Sequence, residues 1–186
     1  MIVAGVGGQG GMFLIKILIE AAMIAGVKVS TSEIHGLSQR GGTVYAGITF
    51  GENTFGFVEE GQADFLLGLE ALEAQRCIPF IHTGTKAVID SIKILPFSVN
   101  AGMAQYPDSE AFIRHLEKNI EKVIYIKHEL KGVNPLTRNI YVLGRATRFD
   151  DFPLPPDAIE KAIEKVSKPA FREANVNLFR KGRTDD

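Results

Sequence analysis

Apolar and polar positions follow two different periods along the chain, and these periods divide it into strands and helices. Short, nearly continuous apolar runs predict buried strands, and apolar residues repeated every three or four positions predict amphipathic helices. The predicted strands are "IVAGV", "VKVSTSE", "ADFLLGLE", "KAVIDS" and "KVIYIK". The predicted helices are "GMFLIKILIEAAMIAG", "EALEAQRCI", "PDSEAFIRHLEKN" and "PPDAIEKAIEKVSK". Strands and helices therefore alternate, which is typical of an α/β domain.

Three further segments complete this prediction. The run "TVYAGITF" alternates cleanly and "GEN" can turn it back into "TFGFV", so we expect a β-hairpin from Thr43 to Val58. The segment "RNIYVLGRATRF" has β-branched residues that favour a strand and a length that allows a helix. We expect one domain over residues 1–182 and a frayed tail over 183–186. The predicted fold is a three-layer α/β/α domain with a mixed, mostly parallel sheet, a Rossmann-like glycine turn after the first strand and an inserted hairpin.

The first predicted helix is unusually apolar. Between Met12 and Ala25 only Lys16 and Glu20 are polar, whereas a helix on the outside of a monomer carries a wider polar face. Either the chain's own hairpin or C-terminal helices cover this surface, or a partner subunit does. Periodicity alone does not separate these two interpretations.

Composition limits the classes of function. The chain has 186 residues, of which 45% are hydrophobic and 23% charged, as expected for a soluble globular domain. Its formal net charge of −1 provides no field to attract nucleic acid or an anionic membrane, so we expect neither as a partner. Met1 leads directly into the first strand without a basic leader, which predicts a cytoplasmic protein.

Most of the reactive side chains have ordinary structural interpretations. The four histidines lack metal-ligand spacing, so we expect no metal site. Cys77 follows an apolar helical stretch and is interpreted as a small core residue; one cysteine cannot form an internal disulfide or ligate an iron–sulfur cluster. Asp150 and Asp151 lie in "RFDDFPLPP", where we expect a surface turn.

The string "GVGGQGG" joins the first strand to the first helix. Within it Gly5, Gly7 and Gly10 satisfy G-x-G-x-x-G, a pattern whose backbone N–H groups can hold a phosphate at a helix N-terminus. A dinucleotide site also needs an acidic residue at the end of the second strand, where only Glu33 is a late candidate. A tight turn that allows close packing explains the same glycines. The residues singled out here are Gly5, Gly7, Gly8, Gln9, Gly10 and Gly11.

A second unusual string, "SEIHGLSQRGGTV", supports a family resemblance when it is taken with "GVGGQGG", "GQADFLLGLEALEAQR" and "RNIYVLG". Together these strings resemble the small (beta) subunits of indolepyruvate ferredoxin oxidoreductases. More broadly, they resemble the gamma subunits or domains of 2-oxoacid:ferredoxin oxidoreductases. The resemblance extends from Ile2 to about Gly182, and H-G-x-S-Q-R-G-G is its most specific part.

The resemblance implies a division of labour between subunits. In this family thiamine diphosphate with Mg²⁺ decarboxylates the 2-oxoacid, iron–sulfur clusters pass electrons to ferredoxin, and coenzyme A accepts the acyl group. In the indolepyruvate type the thiamine and the clusters belong to the large (alpha) subunit. The resemblance therefore implies that this chain binds no cofactor by itself and is inactive alone. It would be an accessory subunit that docks on the large one. Apart from the resemblance, the apolar first helix and the glycine-rich surface predict that the isolated chain self-associates.

The resemblance also gives the second string a candidate role. Its site residues are His35, Ser38, Gln39, Arg40, Gly41 and Gly42. Arg40 can present a planar pair of donors to a carboxylate or phosphate, and His35 can donate or accept a proton. We expect these residues to bind a ligand or to line a subunit interface rather than to break bonds. The alternatives are a salt bridge of Arg40 within the chain, an NAD(P)- or flavin-dependent enzyme complete in itself, and a purely structural subunit.

Overall fold

The computed structural model describes residues 1–35, 42–52, 54–128, 130 and 132–185, with only the backbone of His35. Its strands are β1 (Ile2–Val6), β2 (Val29–His35), β3 (Thr43–Phe50), β4 (Ala63–Gly68), β5 (Ile81–Asp90) and β6 (Lys122–Ile126). The helices of the described part are α1 (Gly11–Ala25), α2 (Ala71–Arg76), α3 (Phe97–Asn100), α4 (Ser109–Asn119), α5 (Arg138–Ala146), α6 (Pro156–Val166) and α7 (Arg172–Thr184).

The strands form one mixed sheet in the order β2-β3-β1-β4-β5-β6. Strand β1 is parallel to β4, β4 to β5, and β5 to β6, whereas β3 runs antiparallel to both β1 and β2. All five residues of β1 are buried, as its continuous apolar run predicts for a central strand.

Helices cover both faces of the sheet. Residues of α1, α5, α6 and α7 form one hydrophobic core with one face, and residues of α2 and α4 form a second core with the other. The predicted three-layer α/β architecture is therefore confirmed.

The partner strand predicted for the hairpin from the sequence is wrong. Strand β3 pairs with β2, from Val29 opposite Phe50 to His35 opposite Val44, and residues 54–58 form no strand. Gly56 adopts a left-handed backbone with φ of 69°, which a regular strand excludes. It also lies so close to β2 that a Cβ there would be 2.9 Å from the carbonyl oxygen of Thr31. The inserted hairpin consists of β2 and β3.

The chain's own C-terminal helix α6 covers the apolar face of α1. The buried residues of α1 are Leu14, Ile15, Ile17, Leu18, Ala21 and Ala22. At the edge of this contact the Lys165 ammonium lies 2.6 Å from a Glu20 carboxylate oxygen. For the buried face of α1, the structure thus shows the first of the two interpretations: a C-terminal helix of the same chain covers it. Met12 and Met23 stay exposed on the same helix.

The ambiguous segment after residue 137 is helix α5, and it crosses α7 at a pair of glycines. A Cβ on Gly144 would be 2.3 Å from the carbonyl oxygen of Phe179, and a Cβ on Gly182 would be 2.4 Å from that of Tyr141. Glycine at both positions therefore lets the two backbones touch.

The end of the chain differs from the frayed tail that we expected. Helix α7 continues to Thr184, and the hydroxyl of Tyr141 donates a 2.9 Å hydrogen bond to the carboxylate of Asp185. Arg145 and Arg148 donate to the backbone carbonyl of the same aspartate. These contacts hold residues 183–185 against α5. In the described part of the chain no helix is long and apolar enough to cross a membrane.

Candidate functional site

The two glycine-containing strings meet at one edge of the sheet. Because β3 is antiparallel to β1 and β2, the carboxyl ends of β1 and β2 lie at the same edge. His35, Val44 and Gly5 form one row across the three strands, so the backbones of His35 and Gly5 are two strand spacings apart, about 10 Å. The topology therefore places two segments next to each other that are 30 residues apart in sequence.

The glycine turn connects β1 to α1 through left-handed backbone conformations. Gly8 has φ of 102°, and Gly10, the N-cap of α1, has φ of 75°. Both values favour glycine, because a Cβ is strained in this region. No side chain caps the first turn of α1, and that turn carries no acidic residue. The positive end of the helix dipole is therefore left without a compensating carboxylate in its own first turn.

Gln9 supports the turn from inside. Its side-chain oxygen accepts a 2.7 Å hydrogen bond from the N–H of Val6, and its side-chain nitrogen donates at 2.9 Å to the carbonyl oxygen of Leu69. A Cβ on Gly5 would be 3.0 Å from that same side-chain oxygen. Gln9 thus joins the end of β1 to the residue after β4, and Gly5 leaves room for it.

Asn139 on α5 fastens the turn from the other side. Its side-chain amide donates to the carbonyl oxygens of Gly10 at 2.7 Å, Gln9 at 3.2 Å and Leu136 at 3.3 Å. A Cβ on Gly10 would be 2.5 Å from the Leu136 carbonyl oxygen, so glycine is required there by both φ and space. Sequence reasoning placed "RN" within the resemblance but assigned Asn139 no role. Only its spatial neighbours reveal the role.

The end of the second string is bonded to the glycine turn. The N–H of Gly7 donates a 3.0 Å hydrogen bond to the carbonyl oxygen of Gly42, directly before β3. His35 ends β2, and its side chain lies outside the description. Ser38, Gln39, Arg40 and Gly41 also lie outside the described residues, so their expected roles stay predictions.

A cavity of about 830 Å³ opens beside the turn, on the face of the sheet that α1 covers. Its lining includes Gly7, Gly8, Gly10 and Gly11 and is otherwise mainly apolar, with Val3, Phe13, Ile15, Val44, Ala46 and Leu69. Polar side chains line it at Asn134, Thr137, Lys168 and Asn175. The cavity thus lies against the glycine turn that was singled out from sequence.

Buried carboxylates support the neighbouring part of the same edge. Glu70, two residues after β4, accepts hydrogen bonds from the N–H groups of Glu73 at 2.8 Å and Ile94 at 3.2 Å, and from the hydroxyl of Tyr106. Asp90, at the end of β5, binds the guanidinium of Arg138, which donates to it at 2.8 Å through Nη2 and also through Nε. Both carboxylates are fully engaged within the chain, which indicates a structural role.

Glu73 and Cys77 lie on the far face of the sheet, around helix α2. Burial raises the pKa of the Glu73 carboxyl, and the Arg76 guanidinium opposes that shift from 3.1 Å. Burial raises the pKa of the Cys77 thiol to about 12, and Glu73 adds to this effect. Cys77 is buried, as expected, and its thiol is poorly suited to act as a nucleophile or metal ligand. In the described part of the chain no group of three or more His, Cys, Asp or Glu residues could hold a metal.

The strand order differs from that of a dinucleotide-binding fold. In such folds the second strand lies directly beside the first and runs parallel to it, which brings its acidic residue to the ribose. Here β3 separates β2 from β1, and Glu33 is in a row with Ala46 and Val3, below the glycine turn. Among the residues that the structure describes, the glycine turn therefore has no acidic partner at the end of β2, which the NAD(P)- or flavin-dependent alternative requires.

Comparison with known proteins identifies the family. The profile of the pyruvate ferredoxin/flavodoxin oxidoreductase family matches residues 1–184. The chain is 34% identical to the indolepyruvate oxidoreductase subunit IorB of Archaeoglobus fulgidus over 98% of this chain and 92% of that protein. It is 33% identical to the subunit of the same name from Pyrococcus horikoshii over 96% and 91%.

A solved structure agrees at the level of the fold. The gamma subunit of a keto/oxoacid ferredoxin oxidoreductase from Geobacter sulfurreducens superposes with a TM-score of 0.68 at 21% identity, covering 98% of this chain and 94% of that one. The resemblance stated from sequence is confirmed, and the chain belongs to the pyruvate ferredoxin/flavodoxin oxidoreductase family.

Proposed function

We propose that this chain is the accessory small subunit of a thiamine-diphosphate-dependent 2-oxoacid:ferredoxin oxidoreductase of the indolepyruvate type. The observation that carries the proposal is its similarity to subunits of the name IorB over more than nine-tenths of both chains. Membership of the family gives the reaction class, and those relatives favour an aryl pyruvate as the 2-oxoacid.

The cofactors are assigned to a large partner subunit because this chain's residues do not fit them. An iron–sulfur cluster needs several thiolates, and the one cysteine of this chain is buried with a raised pKa. The sequence also lacks a G-D-G…N-N string for magnesium and diphosphate. In the proposed complex, thiamine diphosphate, Mg²⁺ and the clusters belong to the large subunit. Coenzyme A is a co-substrate, and ferredoxin is reached through the complex.

The carboxyl edge of the sheet is the part of this chain assigned to the partner or to a ligand. The glycine turn and the string that ends at Gly42 meet there, and the Gly7–Gly42 hydrogen bond ties them together. Gly5–Gly11 would form the rigid floor of the contact. His35, Ser38, Gln39, Arg40, Gly41 and Gly42 would supply its specific interactions.

Purification alone and with the large subunit tests the proposal. The lone chain should reduce no viologen dye in the presence of indolepyruvate, thiamine diphosphate and coenzyme A, and it should self-associate. Co-expression should give a stable complex that buries on the order of 2,000 Å² or more and is active. Appreciable turnover by the lone chain, or a large subunit that is fully active without it, would contradict an accessory role.

A further inference from the structure

We propose that the cavity beside Gly11 binds a small organic anion with an apolar body. The inference goes beyond the proposed function, since it concerns a site of the chain itself and holds whether or not the chain docks on a large subunit. A volume of about 830 Å³ lies in the usual range for small-molecule sites. A mainly apolar lining with a few polar groups is also typical of such sites.

Gly11 provides the evidence that the cavity is kept open for an occupant. Unlike Gly8 and Gly10, it does not have the left-handed backbone that favours glycine. Unlike Gly5 and Gly10, it has no close neighbour, because a Cβ there would meet only a Leu69 methyl carbon, at the ordinary contact distance of 3.9 Å. Alanine would suit this first position of the helix better. Neither conformation nor packing within the chain explains the glycine, whereas free space for an occupant does.

The charges around the cavity select an anion. Among its described lining residues Lys168 is the charged one, and it is exposed. The first turn of α1, which contributes Gly11, Met12 and Phe13 to the lining, has neither an acidic residue nor a side-chain cap. The helix N-terminus and the ammonium therefore both favour a negative group at the cavity, next to an apolar wall.

These features define the ligand's chemistry. An apolar or aromatic body fits between β1, β3 and α1, against Val3, Ile15 and Val44. Its carboxylate or phosphate end lies toward Lys168 and the start of α1. A small inorganic anion would leave the apolar wall in contact with water, and a neutral hydrocarbon would leave the two positive groups uncompensated.

The test uses the full chain and the fluorescent probe 8-anilinonaphthalene-1-sulfonate, which has an aromatic body and an anionic group. We expect saturable binding that decanoate and decyl phosphate displace, whereas 1-decanol and inorganic phosphate are at least about tenfold weaker competitors. Comparing decanoate with decyl phosphate distinguishes a carboxylate ligand from a phosphate ester.

Two variants locate the binding. Because a Cβ at Gly11 meets no backbone atom, Gly11→Phe should place its ring in the cavity and weaken probe binding at least about tenfold. Lys168→Gln should remove the preference for decanoate over decanol. The matched controls are Ala111→Phe on α4, across the sheet, and Lys161→Gln on α6; both positions are exposed and should leave binding unchanged. Thermal unfolding of each variant verifies that it is folded.

Each other outcome overturns the proposal. Absence of saturable binding excludes a small-molecule site. Equal binding by the parent and by folded Gly11→Phe would show that the probe binds at another site. Equal competition by decanol and decanoate shows an apolar site without anion selection. If the parent binds no probe and Gly11→Phe instead blocks assembly with the large subunit, the cavity receives a partner side chain.

Discussion

The side-chain amide of Asn139 donates a 2.7 Å hydrogen bond to the carbonyl oxygen of Gly10, which lies 129 residues earlier in the sequence. This bond joins α5 to the turn that begins α1. The geometry of the glycine turn therefore depends on a residue from the other half of the chain.

Replacing Asn139 by alanine should destabilise the fold and loosen the turn. The substitution removes the side-chain donor to the carbonyl oxygens of Gly10 and Leu136, although the Gly10 oxygen still accepts from the N–H groups of Phe13 and Leu14. Losing hydrogen bonds at a buried site costs about 1–3 kcal/mol. Urea unfolding measures the change in the free energy of unfolding. Asn177→Ala, at an exposed position of the α7 helix, is the control. If Asn139→Ala lowers the free energy of unfolding no more than Asn177→Ala does, these hydrogen bonds contribute little to stability.

Alanine substitutions at the adjacent residues Gly10 and Gly11 should change the stability of the fold in opposite directions. Gly10→Ala places a Cβ 2.5 Å from the Leu136 carbonyl oxygen on a left-handed backbone, so we expect a loss of about 2 kcal/mol or more. Gly11→Ala meets no close neighbour at a helical position and should gain about 0.5–1 kcal/mol. Thermal unfolding of the pair tests this. A destabilised Gly11→Ala would mean that the space beside Gly11 serves the fold itself.

Alanine at the crossing of α5 and α7 should force the helices apart. A Cβ on Gly144 or Gly182 would be within 2.4 Å of a backbone carbonyl oxygen of the other helix, and overpacking of this kind costs about 1–3 kcal/mol. Because either substitution already separates the helices, the double variant should lose less stability than the sum of the two single losses. A double-mutant cycle measures this, and strict additivity would contradict a shared contact.

The thiol of Cys77 should be unreactive in the folded chain. Burial raises its pKa to about 12, so near pH 8 the thiolate fraction falls roughly 1,000-fold below that of a free cysteine. Reaction with 5,5′-dithiobis(2-nitrobenzoate) should be slow without denaturant and complete in urea. Labelling of the native chain at the rate of a free thiol would place Cys77 at the surface.

Arg40→Ala should lower the activity of the assembled complex while leaving the fold intact. A guanidinium between glycines suits a carboxylate or phosphate, and losing a charge-assisted hydrogen bond of this kind costs about 1.5–3 kcal/mol, or roughly 10- to 150-fold in kcat/KM. Viologen reduction and size-exclusion chromatography measure activity and assembly together, with Arg114→Ala at an exposed position of α4 as the control. A complex that assembles and turns over at the parent rate would refute the role of Arg40.

The sequence predicted the parts of the fold that depend on neighbouring residues. The buried β1 strand, the glycine turn and α1 follow one another without a gap, so periodicity and glycine spacing suffice to place them. The partner of β3 was predicted wrongly because alternation shows which face of a strand is buried, not which strand lies beside it. Helix α7 was not predicted, since its sequence "REANVNLFRKGRT" is mostly polar. The helix is held by three buried apolar side chains, Val176, Leu178 and Phe179, and by backbone contact at Gly182.

The candidate site was predictable in its residue types but not in its assembly. Both glycine-containing strings were identified, yet their proximity depends on β3 running antiparallel between β1 and β2. Asn139 and Lys168 reach the site from distant parts of the chain, and no local pattern marks them. Gln9 was assigned to ligand or interface contacts, but its side chain is occupied by hydrogen bonds within the chain.

The packing of α6 on α1 sets an order of events during protein synthesis. Helix α1 emerges from the ribosome early, but residues 156–166, which cover it, follow more than a hundred positions later. At a translation rate of about 5–20 residues per second, the apolar face of α1 stays uncovered for on the order of ten seconds before α6 is synthesised. During that interval it is the surface on which a nascent chain would aggregate or bind a chaperone. Slowing translation between α1 and α6 should therefore lower the yield of soluble chain.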